Sequence, residues 1–201
     1  MTGVFGAVFD PPHFGHLALL RQARERFAFE RVVVLVVAAP GHKHVATDAA
    51  TRLELARAAF PGEEVRLDPH PRTVDLLRER GFDDAMFLIG ADQFADFLDW
   101  KEPDEVLELA RLGVATRPGY PRKQLEPVLA GLRRPDRVEF FEIEPLDVSS
   151  SEIRARVARG EPVDGLVPPA VAREIARLGL YRATDPAARL APGPIAGEET
   201  D

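Results

Sequence analysis

Arg31-Val32-Val33-Val34-Leu35-Val36-Val37-Ala38-Ala39 is almost wholly aliphatic and β-branched. A strand without polar alternation is buried on both faces, as happens in a parallel sheet covered by helices. Upstream lies a shorter apolar run, Val4 to Phe9, read as a first strand. Between them, His16 to Phe27 carries Leu17, Leu20, Ala23 and Phe27 at helical spacing. Strand, helix and buried strand make a βαβ unit.

The alternation continues downstream. Asp48 to Phe60 reads as a helix, and Thr73 to Arg80 as another, closed by Gly81. Ala85 to Ile89 is a third buried strand, ending in Gly90-Ala91-Asp92. Pro103 to Arg111 reads as a helix with proline in its first turn. Leu112 to Thr116 and Val138 to Ile143 read as strands, and Ser151 to Arg159 and Pro169 to Leu178 as helices. Such repetition predicts an α/β fold, a doubly wound parallel sheet of Rossmann-like type. One domain is expected over residues 1–182. Residues 183–201, rich in Ala, Pro, Gly and Glu without an apolar period, are expected to form a disordered tail.

Composition narrows the chemistry. The 201 residues contain no cysteine, which excludes disulfides, zinc thiolates and cysteine nucleophiles. A net charge of −7 disfavours broad binding to nucleic acid, so any phosphate must be met by locally gathered cations. No signal-peptide pattern is present. The longest apolar run, Val32 to Pro40, falls far short of the roughly 20 residues that span a membrane. A cytoplasmic protein with no membrane partner is expected, as a monomer or homo-oligomer.

In an open α/β sheet, ligands gather beyond the carboxyl ends of the strands. His13 and His16 fall there, after the first strand and three residues apart on one helical turn. A helix start supplies unpaired N–H groups and partial positive charge, and Gly6 and Gly15 permit close approach. The pattern suits a polyphosphate whose developing charge imidazoles can meet. The alternatives are two histidines that merely open a helix, or half of a zinc site lacking further ligands. Near the other end, Val148-Ser149-Ser150-Ser151-Glu152-Ile153-Arg154 opens a helix. Ser149 and Glu152 fit a capping box, which accounts for part of the pattern. The serines also offer donors, and Arg154 one turn in could clamp a phosphate.

These residues carry a family resemblance. Phe9-Asp10-Pro11-Pro12-His13-Phe14-Gly15-His16 resembles the FDPxHxGH form of bacterial nicotinate-nucleotide adenylyltransferases, within the (H/T)xGH nucleotidyltransferase superfamily. The usual GGTFDP opening reads Gly6-Ala7-Val8-Phe9-Asp10-Pro11 here. Val148 to Arg154 resembles the ISSTxIR motif of the same superfamily. Pro40-Gly41-His42-Lys43 is similar to its PPHK segment, and Arg52 and Leu55 fit the helix that follows. Arg72-Thr73-Val74-Asp75-Leu76-Leu77 resembles YTxxTL, with Arg for Tyr and Leu76 for the second Thr. Leu88-Ile89-Gly90-Ala91-Asp92 resembles IIGxD, and Arg117-Pro118-Gly119-Tyr120 matches RPGY. Leu180-Tyr181-Arg182 resembles the family's chain end.

The resemblance implies transfer of AMP from ATP to nicotinate mononucleotide, with release of pyrophosphate. It implies His13, His16, Lys43 and Arg154 as catalytic residues, and Gly6, Ala7, Phe9, Gly15, Gly90, Asp92, Ser149, Ser150 and Ser151 around the nucleotide. Thr73, as a helix N-cap, Trp100, the one tryptophan, and Arg117 would meet the acceptor mononucleotide. Mg2+ would arrive with ATP, held mostly by the triphosphate, because no carboxylate cage is visible in the sequence. A pantetheine-phosphate adenylyltransferase, or a relative using CTP or another acceptor, shares the end motifs and stays open.

Overall fold

The computed structural model describes residues 1–40, 45–117, 120–144 and 146–182. Six strands, β1 (Thr2–Ala7), β2 (Arg31–Val37), β3 (Glu64–Asp68), β4 (Ala85–Gly90), β5 (Arg111–Thr116) and β6 (Val138–Glu142), form one sheet in the order β3-β2-β1-β4-β5-β6. Every pairing is parallel. The order reverses at β1, so the β1–β4 seam is the switch point where such sheets take their ligands.

The aliphatic run places β2 inside. Val32 to Val36 are all at most 3% exposed. Val33 and Leu35 pack into one core with α3 (Thr73–Arg80) and α5 (Pro103–Leu109), while Val32, Val34 and Val36 pack into a second with α1 (Phe14–Phe27), α2 (Ala49–Ala59) and α8 (Pro169–Leu178). Two-sided burial of each such side chain is worth about 1.5–3 kcal/mol, which locks the strand's register as well as its position.

Several boundaries differ from the sequence expectation, those of β1, β2 and α7 among them. β1 stops at Ala7, and Val8 and Phe9 leave the sheet. Phe9 turns the chain through a left-handed backbone, φ 55°, while its ring stays buried at 1% exposure. β2 likewise ends at Val37, not Ala39. β3 was not anticipated: three of its five residues are charged, and it lies at the sheet edge, paired only with β2. The short helices α4 (Ala91–Ala95) and α6 (Glu126–Ala130) were also not anticipated; each is only five residues, too brief for a helical period to show. The remaining helix, α7 (Ser150–Ala158), starts one residue before the expected Ser151. Among the described residues, no helix is long and apolar enough to cross a membrane. The expected tail, residues 183–201, lies outside the described residues.

Candidate active site

His13 is the N-cap of α1, in extended conformation, and His16 is the third residue of the helix. The His13 backbone N–H donates to His16 Nδ1 at 3.2 Å. With Nδ1 accepting, a neutral His16 ring carries its proton on Nε2, as a donor. The two rings lie face to face, centroids 3.8 Å apart and planes 31° from parallel. Phe9 packs edge-on to His16 at 5.0 Å. His13 is buried, and burial lowers its pKa from 6.5 to about 4, so it is neutral near pH 7. Its Nδ1 is buried without a hydrogen-bond partner.

Gly15 is required by this packing. A Cβ there would lie 3.0 Å from His13 Cε1 and Nδ1 and 3.3 Å from Val148 Cγ1. Gly6 lies one residue before the end of β1, beside Phe87, with room for ordinary contact only. Ala7 is the last residue of that strand.

The second motif arrives from 140 residues away and binds the first turn directly. Ser149 caps α7, its hydroxyl accepting the Glu152 N–H at 3.2 Å. The Ser150 hydroxyl donates to the Pro11 carbonyl at 2.9 Å. Arg154 sends Nη1 to the Asp10 carbonyl at 2.8 Å and Nη2 to Ser151 Oγ at 3.3 Å. The serines were expected as outward-facing donors. All three hydroxyls are used internally: Ser149 caps the helix, as its spacing from Glu152 led one to expect, Ser150 holds the loop and Ser151 accepts from Arg154. The N-termini of α1 and α7 are thereby tied to the same turn, and both carry positive partial charge.

The other expected residues share the carboxyl edge of the sheet without contacting this cluster through any described hydrogen bond. Gly90 caps α4 after β4, and Asp92 is exposed in that helix. Arg117 is exposed just past β5, its carbonyl accepting the Tyr120 N–H at 2.9 Å. Trp100 is half-buried, its ring 5.2 Å from Phe97 and tilted 59°. Thr73 was expected as the N-cap of its helix. The cap is Arg72, which is extended, and Thr73 is the first helical residue. Thr73 therefore offers its backbone N–H, not a capping hydroxyl. Lys43 lies outside the described residues. No group of three or more His, Asp or Glu side chains able to hold a metal occurs among the described residues.

Several supporting residues were given no role by the sequence reading, although Asp10 and Arg52 lie in family-like segments. Arg52 is 1% exposed and spans the ends of two strands, donating to the carbonyls of Val8 (3.0 Å), Val37 (2.6 Å), Ala38 (2.9 Å) and Thr47 (3.2 Å). The His70 ring sits between Asp68 and Glu79, 2.7 Å from each, and those carboxylates raise its pKa. Asp10 accepts from three partners inside the core. Buried polar hubs of this kind have no periodic signature, and nothing in their spacing marks them.

A Rossmann-like sheet with paired histidines at a helix start on its switch point, clamped by an arginine-bearing second helix, defines a nucleotidyltransferase. Residues 4–156 match the cytidylyltransferase-like family model. Similar curated proteins include the probable nicotinate-nucleotide adenylyltransferase of Rubrobacter xylanophilus, 37% identical over 197 residues, covering 90% of this chain and 92% of that one. The Thermus thermophilus protein of the same name is 38% identical over 192 residues, covering 90% and 98%. The chain belongs to the nicotinate-nucleotide adenylyltransferase family. Among solved structures, Plasmodium falciparum nicotinic acid mononucleotide adenylyltransferase complexed with NaAD has the same fold, with a TM-score of 0.70 at 17% identity, covering 90% of this chain and 96% of that one.

Proposed function

We propose that this protein transfers AMP from ATP to nicotinate mononucleotide, forming nicotinate adenine dinucleotide and pyrophosphate, a step in NAD biosynthesis. The observation that carries the reading is the stacked His13–His16 pair at the start of α1, with a buried ring nitrogen of His13 unpartnered and Arg154 brought alongside. An unsatisfied buried polar atom is costly, and this one belongs to the N-cap of a helix, an element suited to phosphate.

An oxygen of the acceptor's 5′-phosphate attacks the α-phosphorus of ATP in line. The bond from that phosphorus to the β-phosphate oxygen breaks, and pyrophosphate leaves with the electron pair. No protein nucleophile is needed. His16 donates from Nε2 to phosphate oxygens, neutral His13 supports it, and Arg154 meets charge developing on the leaving group. Lys43 joins them as a point charge. Mg2+ enters as part of the ATP substrate. Gly6, Ala7, Phe9, Gly15, Gly90, Asp92 and Ser149 to Ser151 surround the nucleotide. The Thr73 helix start, Trp100 and Arg117 receive the acceptor, the indole stacking on its electron-poor ring. The work is orientation and electrostatics throughout.

Pyrophosphate release tests this with ATP and CTP each crossed with nicotinate mononucleotide, nicotinamide mononucleotide and phosphopantetheine. ATP with nicotinate mononucleotide should give the highest kcat/KM; another best pair overturns the acceptor assignment. His16→Ala should lower kcat by about 10²–10³ while leaving the fold intact. Near-normal turnover in that variant refutes the role given to the pair.

A further inference from the structure

Asp10 precedes His13 by three residues and is 3% exposed. Its carboxylate is fully engaged. Oδ2 accepts the Ala46 N–H at 2.6 Å, and Oδ1 accepts the hydroxyls of Thr47 and Tyr181, each at 2.8 Å. Its carbonyl accepts from Arg154. One residue of the first turn thus joins the segment before α2, the α7 helix and the end of the fold, 171 positions away. Tyr181 is 2% exposed and adopts a left-handed backbone, φ 60°, an uncommon conformation for a tyrosine. Burial and the neighbouring carboxylate raise its pKa, so the phenol keeps its proton and donates.

We propose that Asp10 and Tyr181 are positioning residues for nucleotidyl transfer, a buried bolt from the last turn of the fold that sets the backbone carrying His13. The reason lies in His13 itself. Its Nδ1 makes no hydrogen bond, so that nitrogen does not fix the ring. The ring's place follows from the backbone of residues 10–13, from the His16 stack and from the space left by Gly15. Of the side chains in that turn, Asp10 is the one whose polar atoms are tied to distant parts of the chain. Phenylalanine would fill the Tyr181 site equally well if packing were its only task; the hydroxyl is explained by the bond to Asp10.

The inference rests on the proposed adenylyl transfer, and the variants separate the two. Initial rates of pyrophosphate release with ATP and nicotinate mononucleotide are measured well below each variant's Tm. Tyr181→Phe should lower kcat about 5–10-fold with KM for both substrates within about 2-fold, and Asp10→Ala should lower it about 100-fold. Asp10→Asn should recover most of that loss. Its amide oxygen can accept from Ala46, and its NH2 can donate to the two hydroxyl oxygens, which can reverse their roles. Where Asp10→Ala does not fold, Tyr181→Phe carries the test. The ring 15N and 13C resonances of His13 should also shift in Tyr181→Phe, a readout independent of which substrate is used. Inactive wild-type enzyme with this substrate pair refutes the proposed function alone. Folded Tyr181→Phe with wild-type kcat and unmoved His13 resonances overturns the bolt, as does a raised KM at unchanged kcat.

Discussion

Replacing Gly15 with alanine adds one methyl group at a point where the surrounding geometry is fully specified. The new Cβ would stand 3.0 Å from two atoms of the His13 ring and 3.3 Å from Val148 Cγ1. Carbon atoms prefer about 3.5–4.0 Å, so the ring must retreat by roughly 0.5–1 Å. It cannot retreat freely, because His16 stacks against it at 3.8 Å. Overpacking of this kind costs about 1–3 kcal/mol. Alanine returns up to about 1 kcal/mol through its better helix propensity, since Gly15 is the second residue of α1. The net stability loss is then about 0–3 kcal/mol, a Tm shift of at most about 10 °C for a domain of this size. Activity should suffer more: a displacement near 1 Å at a reacting group can cost about 10²-fold, so kcat should fall about 10–100-fold. Pyrophosphate release and thermal denaturation on the same samples separate the two effects. The double variant His13→Ala/Gly15→Ala sharpens the test, because with the ring gone the methyl group has lost its main obstacle. Gly15→Ala should then be nearly silent in the His13→Ala background. A single Gly15→Ala variant with kcat within 2-fold of wild type, or equal losses in both backgrounds, refutes the reasoning.

Buried His13 and half-buried His70 predict opposite pH dependences. His13 has a folded pKa of about 4 against an ordinary 6.5, so the unfolded chain takes up its proton first as pH falls. Stability should therefore drop between about pH 6.5 and 4, by up to roughly 3 kcal/mol, and His13→Gln should flatten that part of a urea-denaturation profile. His70 is the reverse case, its pKa raised by Glu79 and Asp68. Its contribution is present below the ordinary value and lost as pH rises through the raised one, so His70→Gln should cost more stability at pH 6 than at pH 8.5. Arg154→Lys should lower kcat about 10²-fold with little change in Tm. A single ammonium cannot both hold the Asp10 carbonyl and reach a phosphate, and turnover near wild type would remove Arg154 from the chemistry.

The fold was legible wherever burial on two faces forced the composition. Nothing but a central parallel strand accounts for five consecutive fully buried aliphatic residues in β2, and the boundaries of α3 and α8 follow from their own caps and stop signals. β3 was missed although its residues alternate charged and apolar, because an edge strand buries little and only Val65 and Leu67 carry its apolar half. The same distinction governs the site. His13, His16 and Arg154 stand out because phosphate chemistry at a helix start needs particular residue types. Asp10, Arg52 and Tyr181 fall inside family-like segments, but their roles were not legible, because a buried polar residue is recognised by its partners, and those partners lie 36 to 171 positions away for Asp10.

The same contrast separates the histidine turn from the rest of the sheet's carboxyl edge. The histidine turn is held by contacts that converge on a few atoms: Arg154 on the Asp10 carbonyl, Ser150 on Pro11 and Tyr181 on the Asp10 carboxylate. Each fixes position independently, so the catalytic geometry is over-determined, as a left-handed Phe9 at its root requires. On the side that the proposed reaction assigns to the acceptor, Thr73, Trp100 and Arg117 come from three separate strand ends and, among the described residues, share an edge and not a bonded network. Such residues can change one at a time without disturbing one another. Specificity can therefore drift, as Arg72 and Leu76 already suggest, while the transfer machinery cannot. A chain built this way should keep its reaction through substitutions that alter which mononucleotide it accepts.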